Sequence, residues 1–164
     1  MTMTIKFIIT GGTIDDLEYE LAKDVPKNHK SLVPDLLKQA KVTLGYNVDE
    51  LLQKDSRHIN DEDQELIHQR CLKCSENKII ITHGTMTMPA TAKYLGGKNI
   101  PKTIVLLGAM IPANREKSDA LFNIGAALSA VQLLPHGVYI TMNGKIFSWE
   151  NVKKNIDKGI FETE

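Results

Sequence analysis

Five short apolar runs rich in β-branched residues punctuate the chain, at residues 5–9, 41–44, 78–82, 103–107 and 137–141. Runs of that length and composition predict strands buried on both faces. Between them lie stretches with helical spacing: 33–40, opening on Pro34, then 61–74, 89–95 and 119–131. In the last, Leu121, Ile124, Ala127, Leu128 and Val131 recur every three or four residues, as one face of a helix requires. Strands that alternate with helices predict a parallel arrangement, because parallel neighbours need crossovers and the crossover helices cover the sheet. The expected fold is α/β: a doubly wound, mainly parallel sheet with helices on both faces, a three-layer sandwich of the Rossmann or flavodoxin kind. Ligands of such sheets bind beyond the C-terminal ends of the strands. Asn143-Gly144, between two apolar runs, marks a two-residue turn and predicts a short C-terminal hairpin. From residue 151 onward the chain is polar, and no further strand is expected there.

Composition narrows the partners. The 164 residues are 42% hydrophobic and 24% charged, ordinary globular usage and the size of one domain. One domain over residues 1–164 is therefore expected. Twenty basic residues balance twenty acidic ones. Without a net field, nucleic acid and anionic membranes are disfavoured as partners, and small neutral or zwitterionic molecules remain. The start, Met1-Thr2-Met3-Thr4, leads into an apolar strand with no leader-like pattern, so a cytoplasmic location is expected. Cys71 and Cys74 are the only cysteines, with His68 three residues before them. A zinc site takes four ligands, usually from two separated pairs, and there is no second pair. They read as ordinary helix residues, and neither metal nor cofactor is expected.

Chemistry concentrates in three strand ends. The first is Thr10-Gly11-Gly12-Thr13-Ile14, where two glycines allow close backbone approach and a hydroxyl stands at the mouth of the sheet. Its spacing is neither the dinucleotide fingerprint nor a phosphate loop. The third strand ends in His83-Gly84-Thr85-Met86-Thr87-Met88 before Pro89, a residue suited to the first turn of a helix. Thr85 and Thr87 serve there either as chemical groups or as helix caps. The fourth strand ends in Gly108-Ala109-Met110-Ile111-Pro112. Its loop is expected to bring Asn114, Arg115, Glu116, Lys117 and Asp119 toward the same edge.

Taken together, Thr-Gly-Gly-Thr-Ile, His-Gly-Thr-x-Thr-Met with a following Thr-Ala, and Gly-Ala-Met-x-Pro with a later Phe-Asn resemble the asparaginase/glutaminase family, in order and over essentially the whole chain. The resemblance implies the family's N-terminal doubly wound domain. It also implies hydrolysis of a side-chain amide to a carboxylate and ammonia through a Thr nucleophile, on asparagine or a related small amide. Thr13 matches the first catalytic Thr and Thr85 the second. Ser56 looks like the residue that holds the substrate's α-carboxylate, and Tyr19 stands for the family's mobile-loop Tyr. Gly12, Arg57, Gly84 and Met86 complete the expected substrate-binding set.

Two departures bear on mechanism. Met86 occupies the place of the Asp that helps bind the substrate's α-amino group. Losing a partner for a buried charge typically costs ~2–5 kcal/mol, roughly 30- to 4000-fold in affinity. The Lys that assists the second Thr is expected near Leu134, about twelve residues beyond Phe122-Asn123, and no Lys is there. Lys117 is the substitute candidate for a catalytic base, ahead of His83 and His58, and His83 is expected to brace its loop. The family's second domain, which lends residues across a dimer, has no counterpart among the predicted elements. A homo-oligomer, a dimer in the simplest case, is nonetheless expected. A small-ligand binding or regulatory module on the same scaffold is the alternative to an enzyme.

Overall fold

The computed structural model describes residues 3–164; Met1 and Thr2, part of the segment read for a leader pattern, lie outside the described residues. Six strands form one sheet: β1 (Thr4–Gly11), β2 (Gly45–Lys54), β3 (Lys78–Thr82), β4 (Thr103–Leu107), β5 (Gly137–Met142) and β6 (Lys145–Ser148). Their order is β2-β1-β3-β4-β5-β6, parallel except for the antiparallel β5–β6 hairpin around Asn143-Gly144. Four helices connect them: α1 (Val33–Gln39), α2 (Asp61–Lys73), α3 (Met88–Gly96) and α4 (Ala120–Leu133).

Alternation along each strand builds two cores. Ile5, Phe7 and Ile9 of β1, Ile80 of β3, and Val105 and Leu107 of β4 pack with Val33, Leu36 and Leu37 of α1 and with Ile124, Ala127 and Val131 of α4. The intervening positions, Ile8, Ile79, Ile81, Ile104 and Leu106, face the other way onto Ile67 and Cys71 of α2 and Met88, Ala92 and Leu95 of α3. A central strand is thus apolar at every position because each of its faces carries a helix layer.

Two expectations are corrected. Residues 41–44 are not a strand: Lys41 has φ +51°, and the N–H groups of Lys41 and Val42 donate to the carbonyls of Lys38 and Leu37 as α1 unwinds. The strand is β2, further along. It is an edge strand, half-buried with polar residues interleaved, so it carries no continuous apolar run. The tail also contains structure, an antiparallel hairpin of β7 (Lys153–Asn155) and β8 (Ile160–Glu162). Its strands are three residues long, too short to show a period. Buried Val152 and Phe161 anchor the hairpin to the core beneath β5 and α3, and Phe161 N–H donates to Asn143 Oδ1 at 2.8 Å.

No helix among the described residues is long and apolar enough to cross a membrane. Cys71 is on the buried face of α2, where burial pushes its thiol up to about 12, and Cys74 Sγ meets the carbonyls of Cys71 and Glu76. No group of three or more His, Cys, Asp or Glu side chains that could hold a metal occurs among the described residues.

Candidate active site

From β1 the chain leaves to β2 on one side of the sheet, while β3 lies on the other. That reversal opens a crevice at the C-terminal ends of β1 and β3. The loops carrying Thr13 and Thr85 border it. They are locked together: Thr10 Oγ1 donates to Thr82 O at 2.7 Å, and Gly12 presses so tightly on Gly84 that a Cβ at Gly12 would lie 2.4 Å from Gly84 Cα. Gly12 has φ +86° and ψ −171°, a conformation essentially reserved for glycine.

The resulting cleft has a volume of about 460 Å³, suited to a small molecule. Gly12, Thr13, Ser56, Arg57, Gly84, Thr85 and Met86 all line it. Ser56 comes from the single 3-10 turn after β2, packed against Gly84, and Thr87 Oγ1 holds that turn by donating to Ser56 O at 2.7 Å. Thr87 is therefore a tie between loops rather than a helix cap. Asp55 accepts the Arg57 guanidinium through both oxygens, at 2.6 and 3.1 Å. Burial acts to raise the Asp55 pKa, but the hydrogen bonds and charge of Arg57 outweigh it and hold this carboxyl below its ordinary value.

Lys117 and Tyr19 are not in the cleft lining. Lys117 has φ +60° and borders a separate groove beside Leu36 and Gln39, so it is no partner for either threonine. Its loop is instead tied down by Asp119, whose carboxylate accepts from the N–H groups of Met110 and Ile111 and from Asn123 Nδ2. Tyr19 contributes its backbone: its carbonyl accepts from His58 Nε2 at 3.0 Å. His83 is fully buried and braces its loop, as expected. Its Nδ1–H donates to Gly84 O at 2.8 Å, which leaves Nε2 to accept from the Thr91 hydroxyl at 2.9 Å. Burial lowers the His83 pKa to about 4, keeping the ring neutral.

Lys154 is one cleft residue that the sequence did not single out. Its Nζ donates to Thr85 Oγ1 at 2.7 Å and lies 3.3 Å from Met86 Sδ. It comes from β7, twenty residues beyond Leu134, in the tail that sequence periodicity left structureless. Burial lowers its pKa, and the charge of Glu18 opposes that shift. Glu18 is the second residue the sequence did not single out. Its Oε1 accepts from Thr13 Oγ1 at 2.8 Å. No spacing signal marks it, because its approach depends on the turn at Asp16, which has φ +59°. Each threonine hydroxyl is thus paired with one ionisable side chain, Thr13 with a carboxylate and Thr85 with an amine.

Residues 4–160 match the family described as "Asparaginase, N-terminal". The chain is 28% identical to a glutaminase-asparaginase of Pseudomonas fluorescens biotype A over 93% of its own length and 46% of that protein's. It is 30% identical to a glutaminase-asparaginase of Acinetobacter glutaminasificans over 93% of its length and 50% of that protein's. The structure superposes on the thermostable L-asparaginase from Thermococcus kodakarensis with a TM-score of 0.85 and 28% identity, covering 98% of this chain and 51% of that one. The chain therefore spans about half the length of the relatives it matches. The crevice at the β1–β3 switch, with its two facing threonine loops, lies within the matched residues, and the chain belongs to the asparaginase family, corresponding to the part described as the N-terminal domain.

Proposed function

We propose that the protein is an asparaginase-type amidohydrolase in which Thr13 is the nucleophile. The observation that carries this reading is the contact of Lys154 Nζ with Thr85 Oγ1 at 2.7 Å, beside Thr13 in one cleft. Thr13 attacks the side-chain amide carbon, ammonia leaves from the acyl-enzyme, and water then releases the carboxylate. Thr85 and Lys154 form the proton-exchanging pair opposite, and the lowered pKa of Lys154 brings that exchange closer to neutral pH. Negative charge on the substrate oxygen meets N–H groups of the Thr13 and Thr85 loops. Gly12 N–H is not one of them, being engaged with Lys54 O at 2.9 Å.

Ser56 and Arg57 offer a carboxylate site, whereas Met86 gives an α-ammonium no counter-charge. The favoured substrates are small side-chain amides with one free carboxylate, among them asparagine derivatives whose amino group is blocked. The test is ammonia release from asparagine, glutamine and their N-acetyl forms by the natural protein, Thr13→Ala and Thr85→Ala. Turnover that disappears in both variants, and is faster on the N-acetyl forms, is expected. Turnover indifferent to both threonines, or binding of these amides without any turnover, overturns the enzyme reading; the latter outcome establishes the binding module instead.

A further inference from the structure

We infer that Glu18 is the general base for Thr13, so that the chain carries its own activating dyad within one short loop; this rests on the reading of Thr13 as nucleophile. Thr13 Oγ1 already donates its proton to Glu18 Oε1 at 2.8 Å. By contrast, Thr85 Oγ1 accepts from Lys154. The direction of the two hydrogen bonds separates the two hydroxyls. A hydroxyl that donates to a carboxylate is positioned to lose its proton as it attacks.

The glutamate is exposed, yet its backbone is held on both sides. On one, Leu17 is fully buried and its N–H donates to Gly12 O at 3.1 Å; on the other, the Tyr19 carbonyl is bound by His58 Nε2. The geometry of Glu18 over Thr13 is therefore set by two anchored neighbours. The charged groups facing it are Lys154 from β7 and Arg57 from the Ser56 turn, with Glu20 and Asp55 also on the cleft wall.

The step balances within the site. As the Thr13 Oγ–carbon bond forms, the Oγ proton passes to the Glu18 carboxylate and the carbonyl π pair moves to oxygen. Collapse expels nitrogen, which takes that proton and leaves as ammonia. In the second half Glu18 accepts a proton from water as its oxygen attacks the ester, and returns it to Thr13 Oγ. The sum is amide plus water to carboxylic acid plus ammonia, with Glu18 regenerated.

Glu18→Gln keeps the size and a carbonyl oxygen that accepts from Thr13, but cannot take its proton. The experiment follows acetylation by p-nitrophenyl acetate, with the acetyl group located by peptide mass mapping, in the natural protein, Thr13→Ala, Glu18→Gln and Glu18→Asp. Acetylation of Thr13 is expected to slow by about 100-fold or more in Glu18→Gln, with an intermediate rate in Glu18→Asp and an unchanged urea midpoint. Acetylation of Thr13 at the natural rate in Glu18→Gln overturns the assignment of the base alone. Absence of label on Thr13 in the natural protein overturns the nucleophile, and this inference with it. The mapped peptide, rather than total activity, distinguishes these two outcomes.

Discussion

Replacing Gly12 by alanine places a methyl group between the two loops that carry the threonines. The backbone there, φ +86° and ψ −171°, costs a non-glycine residue about 1–3 kcal/mol. The new Cβ would lie 2.4 Å from both Gly84 Cα and Gly84 N, and ordinary contact begins at 3.4 Å. The neighbours are backbone, not flexible side-chain ends, so the β1 and β3 loops must part by about 1 Å, an overpacking worth about 1–3 kcal/mol more. Against a total stability of about 5–15 kcal/mol, the variant folds but unfolds at clearly lower urea. A displacement of ~1 Å between reacting groups costs about 100-fold in rate. Urea unfolding followed by the fluorescence of Trp149, together with ammonia release at a temperature where the variant is folded, measures both effects. Gly125→Ala is the control: it lies within α4 with nothing within 4 Å of the added methyl, and a gain of about 0.5–1 kcal/mol is expected. A Gly12→Ala protein with natural stability and natural turnover would show that the contact between the loops is not what sets the cleft.

Lys154→Met is expected to lower turnover by about 100-fold or more while leaving the fold intact, whereas Lys117→Met changes it by less than about twofold. Equal effects of the two in the ammonia assay would contradict the placement of Lys154 on Thr85. His83 supplies a pH signature of stability. Its folded pKa, about 4, is depressed from the usual ~6.5, so between these values the unfolded chain takes up a proton that the folded one refuses. Stability from the neutral ring is complete above about pH 6.5 and falls as pH drops toward 4, by about 3 kcal/mol in all. Urea titrations at several pH values should show a shallower decline for His83→Gln across that window; parallel curves for the two proteins would refute the assignment.

The legible parts of this fold are those where one residue's environment repeats along an element. Ile79, Ile80 and Ile81 of β3 are all buried because α2 and α3 lie on one face and α1 and α4 on the other, and a solid apolar run records that directly. β2 records only half of it, since an edge strand with one wet side mixes Tyr46 and Val48 with Asn47 and Asp49. The threonine loops were legible because Gly12 and Gly84 are fixed by backbone contact, which leaves a motif of small residues in the sequence. The ionisable partners left none. Lys154 lies 69 residues from Thr85 on a three-residue strand, and Glu18 reaches Thr13 only through the left-handed turn at Asp16. Neither contact follows from a period or a spacing, so each waits on tertiary structure.

Met86 connects the two departures that the sequence presented as separate losses. A carboxylate at that position would stand beside Lys154, whose Nζ is 3.3 Å from Met86 Sδ, and an opposite charge so close favours the ammonium form. The thioether is only a weak acceptor. Burial prevails over the charge of Glu18, and the Lys154 pKa is lowered. On the proposed reading, the side chain that gives a substrate ammonium no counter-charge also leaves Lys154 without a carboxylate neighbour at that position. Under the proposed function, weak recognition of free amino acids and an amine that exchanges protons with Thr85 both follow from Met86.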